Sequence, residues 1–452
     1  MDMIIKKVYA STVAKLNSNV YDGGGDDDTL ALQAVLDEAQ DENVGIHLIM
    51  DGAALVSQLK LYSNTTIECV TKDCGFYQIA WTNAAILTNG NHDHHVCKTR
   101  NINLLGGTYH QNGQNQEHDV VREEWDWVEA PSEDGTSGRS FFVVGLEFYG
   151  VEQMMIRDVT LRDFRTFGLL VGCFKNLTVD NVWLDLPYGT KGNQDGFHFW
   201  GPGQFLTVLN SGGRVGDDII NVGPDEWDGK SSITDVLIDG IIMDEGEQAV
   251  RLLSRGKGEL DRVTIRNVYG NYRSYGFYIN PWFTESMGSF KNIFIENVDL
   301  QAIPHTYEYH DPFLFSIGGN IECLTLKNIR SHNSCDSRTL FELGLPFYST
   351  TQETYGTYTL PEEQKLENII IDGLTITEKE GDPEDTKYIR VYDKVENLIL
   401  KNVIVVKKQA EENGTLLYFE KNGSVDNLIC EGIHTKGLKE FTNDESKIKD
   451  TF

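Results

Sequence analysis

A chain of 452 residues with 40% hydrophobic and 10% aromatic residues is long enough for one very large domain or two to three ordinary ones. Its formal net charge of −30 argues against nucleic acid or an anionic membrane as partner, because both need clustered Lys and Arg; a long polyanionic substrate is disfavoured unless basic residues gather locally. No apolar run approaches a bilayer span, and MDMIIKKVYASTVAK has no sustained apolar core of a signal peptide, which leans to a cytoplasmic protein, or to a secreted one if a leader was trimmed. Cysteines stand at 69, 74, 97, 173, 323, 335 and 430, without any C-x-x-C pair, so neither a zinc knuckle nor a thioredoxin-type motif is supported. Cys69 and Cys74 could bridge in an oxidising compartment, but buried thiols are the favoured reading.

Residues 1–20 are weakly patterned. Tyr21 to Gln40, YDGGGDDDTLALQAVLDEAQ, reads as a Gly/Asp loop entering a helix, with Asp28 or Thr29 as cap and Leu30, Leu32, Val35 and Leu36 as a partly apolar face. The acidic triplet Asp26–Asp28 lacks the alternating ligands and distal Glu of a calcium loop, so it reads as a solvated helix start. His92, Asp93, His94 and His95 contain H-x-H, but no second ligand pair is placed by motif, and a polar loop tip is favoured over a metal site.

From about residue 46 a repeated phrase takes over: apolar, polar, Asn or Asp, apolar, x, apolar, polar, Asn or Gly, apolar. It occurs as VEQMMIRDV at 151, FKNLTVDNV at 174, ITDVLIDGI at 233, LDRVTIRNV at 260, FKNIFIENV at 290, IECLTLKNI at 321, LENIIIDGL at 366, VENLILKNV at 395 and VDNLICEGI at 425. A degenerate copy, GQFLTVLNS, starts at 203, and an earlier relative, TRNINLLGG, at 99. Each phrase alternates apolar and polar over five or six residues, a strand signal, and ends in a turn residue. Most starts lie 27–31 residues apart, which means stacked supersecondary units. The period-2 pattern excludes helical repeats, L-x-x-L-x-L is absent, and a four-stranded propeller blade needs more residues than most steps allow. The prediction is an all-β, right-handed parallel β-helix (solenoid): a single domain over 1–452, three short strands per coil, and a capping helix within residues 20–45. Two stretches interrupt the rhythm, Gly113 to Ser140 and 332–365. Loops leaving one side of a solenoid build its binding face, and Trp125 and Trp127 in the first could stack on sugar rings or anchor their own loop.

Within the solenoid, Asn193 to Gly223 holds a lone Asp195 in N-Q-D-G and, 22 residues on, the pair Asp217–Asp218 in V-G-D-D-I. Residues about one coil apart sit nearly on top of one another, so three carboxylates should meet on one patch, and like charges brought together raise at least one pKa. One protonated and one ionised carboxyl is what glycoside hydrolysis requires. Adjacent strand residues point to opposite faces, so both aspartates of the pair enter one cleft only through a local bend, which Gly216 permits. In GFHFWGPG, alternation puts Phe197 and Phe199 inside and His198 and Trp200 together on the outer face near Asp195, as candidate substrate contacts.

Asn193-Gln194-Asp195 followed by Gly216-Asp217-Asp218, the preceding segment IRDVTLRDFRTFGLLVGCFKNLTVDNVWL and the opening YDGGGDDDTLALQAVLDEA together resemble the polygalacturonase family of glycoside hydrolases, which are pectin-lyase-like right-handed β-helices that invert configuration. The resemblance covers roughly residues 20–280. It implies that Asp217 is the general acid, that Asp195 and Asp218 hold and activate the attacking water, that Asn193 takes part in substrate binding, and that neither metal nor organic cofactor is needed. Two departures stand out. Gln248 falls where the family has the His of G-H-G, and Tyr278-Ile279-Asn280 falls where it has R-I-K, whose cations hold the uronate carboxylate. Their loss points away from galacturonan toward a neutral α-linked sugar, or one whose charge lies elsewhere, with Gln248, Arg251, Tyr278 and Asn280 as further substrate contacts and Arg251 either as a partial substitute for the lost cation or as the ion-pair partner of a nearby acid. The partner is therefore a carbohydrate. A polysaccharide lyase or epimerase on the same scaffold and a glycan-binding β-helix without turnover are the alternatives; a homo-oligomer is compatible with either, since long β-helices associate side by side.

Overall fold

The computed structural model describes residues 3–121, 140–188, 192–254, 256–281, 288–304, 312–331, 339–344, 364–377, 386–407 and 413–452. Trp125, Trp127, Cys335 and most of the 332–365 insertion lie outside them. The chain is a right-handed parallel β-helix with one α-helix near the N-terminus. It divides into two compact units, Met1–Asn221 and Val222–Phe452.

In the first unit the strand Ile4–Tyr9 pairs in parallel with Val44–Met50, which pairs with Thr65–Cys69, and this with Thr99–Leu105. The same ladder continues through Leu146–Arg157, Leu169–Asp180 and Phe197–Arg214. A second ladder stacks Ala53–Val56, Gly75–Gln78, Thr108–His110, Thr160–Arg162 and Trp183–Asp185. A third stacks Leu59–Leu61 and Leu87–Asn89 before merging with the first at Leu146. Helix α1, Thr29–Leu36, buries Leu32, Val35 and Leu36 and packs on Val44–Met50 and Leu59–Leu61, so it covers apolar surface at the first coils. Leu30, expected on that face, is 85% exposed, because the buried stripe is set by positions 32, 35 and 36. The cap also differs from the expectation. Asp28 turns away and accepts the backbone N–H groups of Lys15 and Leu16 at 2.8 and 3.0 Å, while Asp27 Oδ1 accepts the N–H of Thr29 at 2.9 Å.

Among the described residues of the second unit, the coils show one long and one short strand each. Long strands Ile233–Glu245, Leu260–Tyr272, Phe290–Ala302, Ile321–Ser331, Leu366–Thr377, Lys394–Val406 and Ser424–Lys436 stack in register. The reason lies in the repeated phrase. Its last Asn or Gly is a left-handed kink inside a continuing strand, with φ of 59° at Asn267, 58° at Asn297, 52° at Asn328 and 79° at Gly240. Asn tolerates this conformation better than other side-chain-bearing residues. Its amide then bonds the rung below: Asn297 Nδ2 donates to Asn267 Oδ1 at 3.0 Å, and Asn328 Nδ2 to Asn297 Oδ1 at 2.6 Å. The apolar positions of the phrase fill the core as columns such as Ile238, Ile265, Ile295, Leu326, Ile371 and Leu400, all fully buried. Each such side chain contributes roughly 1.5–3 kcal/mol of transfer free energy. Beside them Phe277, Phe315 and Phe341 stack on successive rungs at 4.7 and 5.2 Å with nearly parallel rings.

Candidate active site

The N-Q-D-G turn of the first unit begins at Asn193, whose φ of 58° turns the chain back toward the stack. Gly196 follows Asp195, and its N–H donates to the carbonyl of Asp218 at 2.7 Å. A Cβ there would meet Leu184 Cδ1 at 2.2 Å and the backbone oxygen of Ile219 at 2.6 Å, so only glycine lets these two coils approach so closely. The D-D bend is present. The consecutive N–H groups of Gly216 and Asp217 both donate to the Gln194 carbonyl, at 3.0 and 3.2 Å, and the strand starts only at Asp218. Carboxylate oxygens of Asp195, Asp217 and Asp218 thereby lie within 4.8 Å of one another.

The three acids differ in surroundings. Asp195 is 4% exposed and its Oδ2 is 2.7 Å from His198 Nδ1, the imidazole N–H donating to the carboxylate. Asp218 is 2% exposed, and Asn221 Nδ2 donates to its Oδ2 at 3.3 Å. Asp217 is only half-buried, and its Oδ2 accepts the backbone N–H of Asn193 at 3.0 Å. Asn193 thus enters the site through its backbone, and its side chain is exposed. His198 is 2% exposed, stacked on the Phe167 ring at 4.1 Å and met edge-on by Trp200 at 5.7 Å. It holds Asp195 in place and is covered from solvent. Trp200 is half-buried, packed on the apolar cluster that contains Tyr149, whose ring lies 6.3 Å away. Among the described residues, the three aspartates are also the group with the spacing to share one hard cation.

Phe167, Asn221 and Tyr149 belong to this neighbourhood and carry no motif of their own. Phe167 and Asp195 occupy equivalent points of successive coils, marked by the bond from Gly168 N–H to the Asp195 carbonyl at 2.8 Å. That coil position is the one signal by which sequence could find Phe167.

The remaining candidates lie in the second unit. Arg251 pairs in register with Tyr278 and its guanidinium sits 4.8 Å from that ring's centroid, a cation–π contact. Tyr278 is buried and stacks on Tyr275 at 4.1 Å. Asn280, 1% exposed, pairs with Leu253, and Gln248 pairs with Tyr275. Gln248 alternates in phase with the core residues Val250 and Leu252, whereas Arg251 falls in the opposite phase. Within His92–His95, His92 Nε2 meets Thr88 Oγ1 at 2.6 Å, and the His92 and His94 rings both pack against Tyr149, at 5.8 and 4.1 Å. Cys69 and Cys74 are buried free thiols, and burial, with Cys74 beside it, pushes the Cys69 thiol up to about 12.

The chain matches no protein-family model. A polygalacturonase of Gossypium barbadense is 26% identical over 169 residues, 36% of this chain and 39% of the relative, so the match spans less than half of the relative's length. Among solved structures, the N-terminal fragment of bacteriophage Phi29 gene product 12 superposes with a TM-score of 0.58 at 12% identity, over 96% of this chain and 71% of that one. The A-module of the Azotobacter vinelandii mannuronan C-5 epimerase AlgE4 does so with a TM-score of 0.51 at 13% identity, over 99% of each chain. These two likenesses are of fold. The similarity to polygalacturonases, taken with the aspartate motifs, makes the chain polygalacturonase-like: it resembles that family of pectin-lyase-like right-handed parallel β-helices.

Proposed function

We propose that the protein is a glycoside hydrolase that cleaves an α-glycosidic bond with inversion, in a neutral-sugar oligo- or polysaccharide. The observation that carries this reading is the convergence of Asp195, Asp217 and Asp218 within 4.8 Å on a polygalacturonase-like scaffold. Asp217, the most exposed of the three, is the general acid to the leaving oxygen; mutual repulsion in the cluster favours keeping one proton among the carboxyls. Asp195 and Asp218 hold the attacking water between them. A water donating at about 2.7–2.8 Å to each of two oxygens, with its hydrogens about 105° apart, bridges acceptors about 4.4 Å apart, a separation compatible with the 4.8 Å that bounds the cluster. The acids are closer than the roughly 6.5–9.5 Å usual for a two-carboxylate inverting site. In this reading the water is bridged by a pair and does not fill a gap between one acid and one base. Support for a neutral sugar comes from Tyr278-Ile279-Asn280 at the position of the family's two cations, and from the net charge of −30.

The test is a screen of neutral and acidic α-linked oligosaccharides with wild type and Asp217→Asn, with product anomers followed by proton NMR. The expected result is an inverted anomer from wild type, unaffected by EDTA, and a rate about 10²–10⁴-fold lower in the variant. Equal turnover by both proteins overturns the role of Asp217. A retained anomer overturns inversion, an unsaturated or epimerised product establishes lyase or epimerase chemistry, and binding without turnover establishes a glycan-binding protein.

A further inference from the structure

Two cysteines of the first unit, outside the carboxylate cluster, meet across one rung of the stack. Strand Thr99–Leu105 neighbours Leu146–Arg157, which neighbours Leu169–Asp180, with Thr99, Val151 and Phe174 in one register. Cys97 stands two residues before Thr99, and Cys173 one before Phe174. On the rung between them is Gly150, with φ of 72°. A Cβ there would meet the carbonyl oxygens of Asp93 and Val96, each at 2.6 Å, so the turn before Cys97 rests directly on the backbone of that rung. Asp93 fixes the turn: its Oδ1 accepts the N–H groups of His95 and Val96, both at 2.9 Å, and its Oδ2 pairs with Lys98 at 2.7 Å. Cys173 is placed by another device. The pairing of its strand with Phe197–Arg214 shifts register between Gly172 and Phe174, and Cys173 takes a φ of 50° at that irregularity. Left-handed backbone is unfavourable for cysteine, and a bulge re-aims the side chain that occupies it. The result is Cys97 Sγ 3.8 Å from the Cys173 carbonyl oxygen, with the two thiols in contact.

The two partners differ as a redox pair requires. Cys97 is half-buried and within reach of a small reagent, whereas Cys173 is 2% exposed. Once Cys97 has ionised, the Cys173 S–H donates to its sulfur, which holds Cys97 below the ordinary thiol range; the same contact, with burial, pushes Cys173 up. An accessible thiol favoured as thiolate attacks an oxidant first, and a thiol beside it resolves the product. Among the described residues, the other cysteines lack this combination. Cys69 and Cys74 are both buried, and Cys323 and Cys430 stand opposite Asn368 and Leu400 on the neighbouring rungs.

We propose that Cys97 and Cys173 are a thiol–disulfide pair, which a low-molecular-weight disulfide oxidises to a bond that clamps the turn at 93–97 onto the strand Leu169–Asp180. With oxidised glutathione, the Cys97 thiolate attacks one sulfur and expels one glutathione thiolate. Cys173 then gives its proton to water, its sulfur attacks Cys97 Sγ, and the second glutathione leaves as thiolate. The two cysteines lose two electrons and two protons, and one disulfide is reduced to two thiols. This pair is independent of the carboxylate chemistry. The test equilibrates the full chain with stepped ratios of reduced to oxidised glutathione, followed by acid quenching, alkylation, proteolysis and mass spectrometry. Expected is a peptide pair joined through Cys97 and Cys173, two hydrogens lighter than the separate peptides and split by dithiothreitol. The melting temperature of the oxidised protein should rise by about 5 °C, because the bond closes a long loop in the unfolded chain. In Cys173→Ala the reaction should stop with one glutathione on Cys97, and in Cys97→Ser neither crosslink nor adduct should form at Cys173. Both thiols still reduced at the most oxidising ratio overturns the pair. So does a wild-type adduct on Cys97 that never resolves, a crosslink that forms only in urea, or one between Cys69 and Cys74 in its place. A Cys97–Cys173 bond that leaves the melting temperature unchanged overturns the clamp.

Discussion

Asp195 is held from two directions, its backbone by Gly168 and its carboxylate by His198, and His198 is in turn fixed by Phe167. Replacing His198 by Gln should therefore lower kcat about tenfold or more, with KM nearly unchanged, because the change misaims a carboxylate and removes no substrate contact. An unchanged kcat in steady-state assays would show that Asp195 needs no such support. Two other imidazoles, His94 and His110, are buried and neutral in the fold. Burial, with His92 and His95 nearby, brings His94 down to about 2, and burial beside Arg162 brings His110 down to about 3. The unfolded chain takes up protons at both below pH 6.5 while the folded protein does not, so stability is fully present above 6.5 and falls as the pH drops toward the folded values. Urea midpoints measured between pH 7.5 and 5 should decline, and the decline should be shallower in His110→Asn, whose side-chain oxygen can still accept the Asn112 N–H now bound by His110 Nδ1. A parallel decline in the variant would assign the effect elsewhere.

At the scale of the element, the repeated phrase is a strand segment set between two left-handed residues, as in Gln153 and Asp158, Asn176 and Asn181, or Arg262 and Asn267. The alternation of the phrase was legible as a strand, and its Asn or Gly as a turn. What alternation could not convey is that the chain kinks there and continues in the same ladder. Asn297 carries both functions, a φ of 58° and bonds to Asn267 and Asn328. Asn297→Ala loses the bonds and places a side chain without local polar help at positive φ, so it should cost about 2 kcal/mol; Asn297→Gly relieves the backbone and should cost about half of that. Equal urea midpoints for the two variants would remove backbone strain from the account. The D-D bend belongs to the same scale. Gly216 marked where a bend was possible, whereas the paired N–H groups bonding Gln194 O come from a neighbouring coil and have no local signature.

Across the whole molecule, a net charge of −30 must be tolerated by the folded chain. Self-repulsion of that size is screened as the Debye length falls from about 30 Å at 0.01 M salt to about 8 Å at 0.15 M. The melting temperature should therefore rise over that range of sodium chloride, read by scanning fluorimetry; a flat or falling curve would mean that local ion pairs outweigh the net repulsion. The interior is governed by another rule. Phe277, Phe315 and Phe341 stack because equal-phase positions of successive coils carry equal residue types. Phe315→Ala opens a cavity within that stack and should cost about 3–5 kcal/mol in denaturant unfolding.

By itself the sequence determined the architecture, since a period near 30 residues with period-2 alternation and rungs of Ile, Val and Leu has one economical solution, a parallel coil whose like positions stack. It also determined which carboxylates could meet, because Asp195 and Asp217–Asp218 are separated by about one coil. Only the tertiary structure decided the rest. It turned Asp28 from helix cap to loop anchor, covered His198 with Phe167 and made it a support for Asp195, and brought Asn193 into the site through its N–H. The physical reason is common to all of these. A repeat specifies which residues share a rung and a face, but the side-chain contact made there depends on neighbours one or more coils away, which no local pattern encodes.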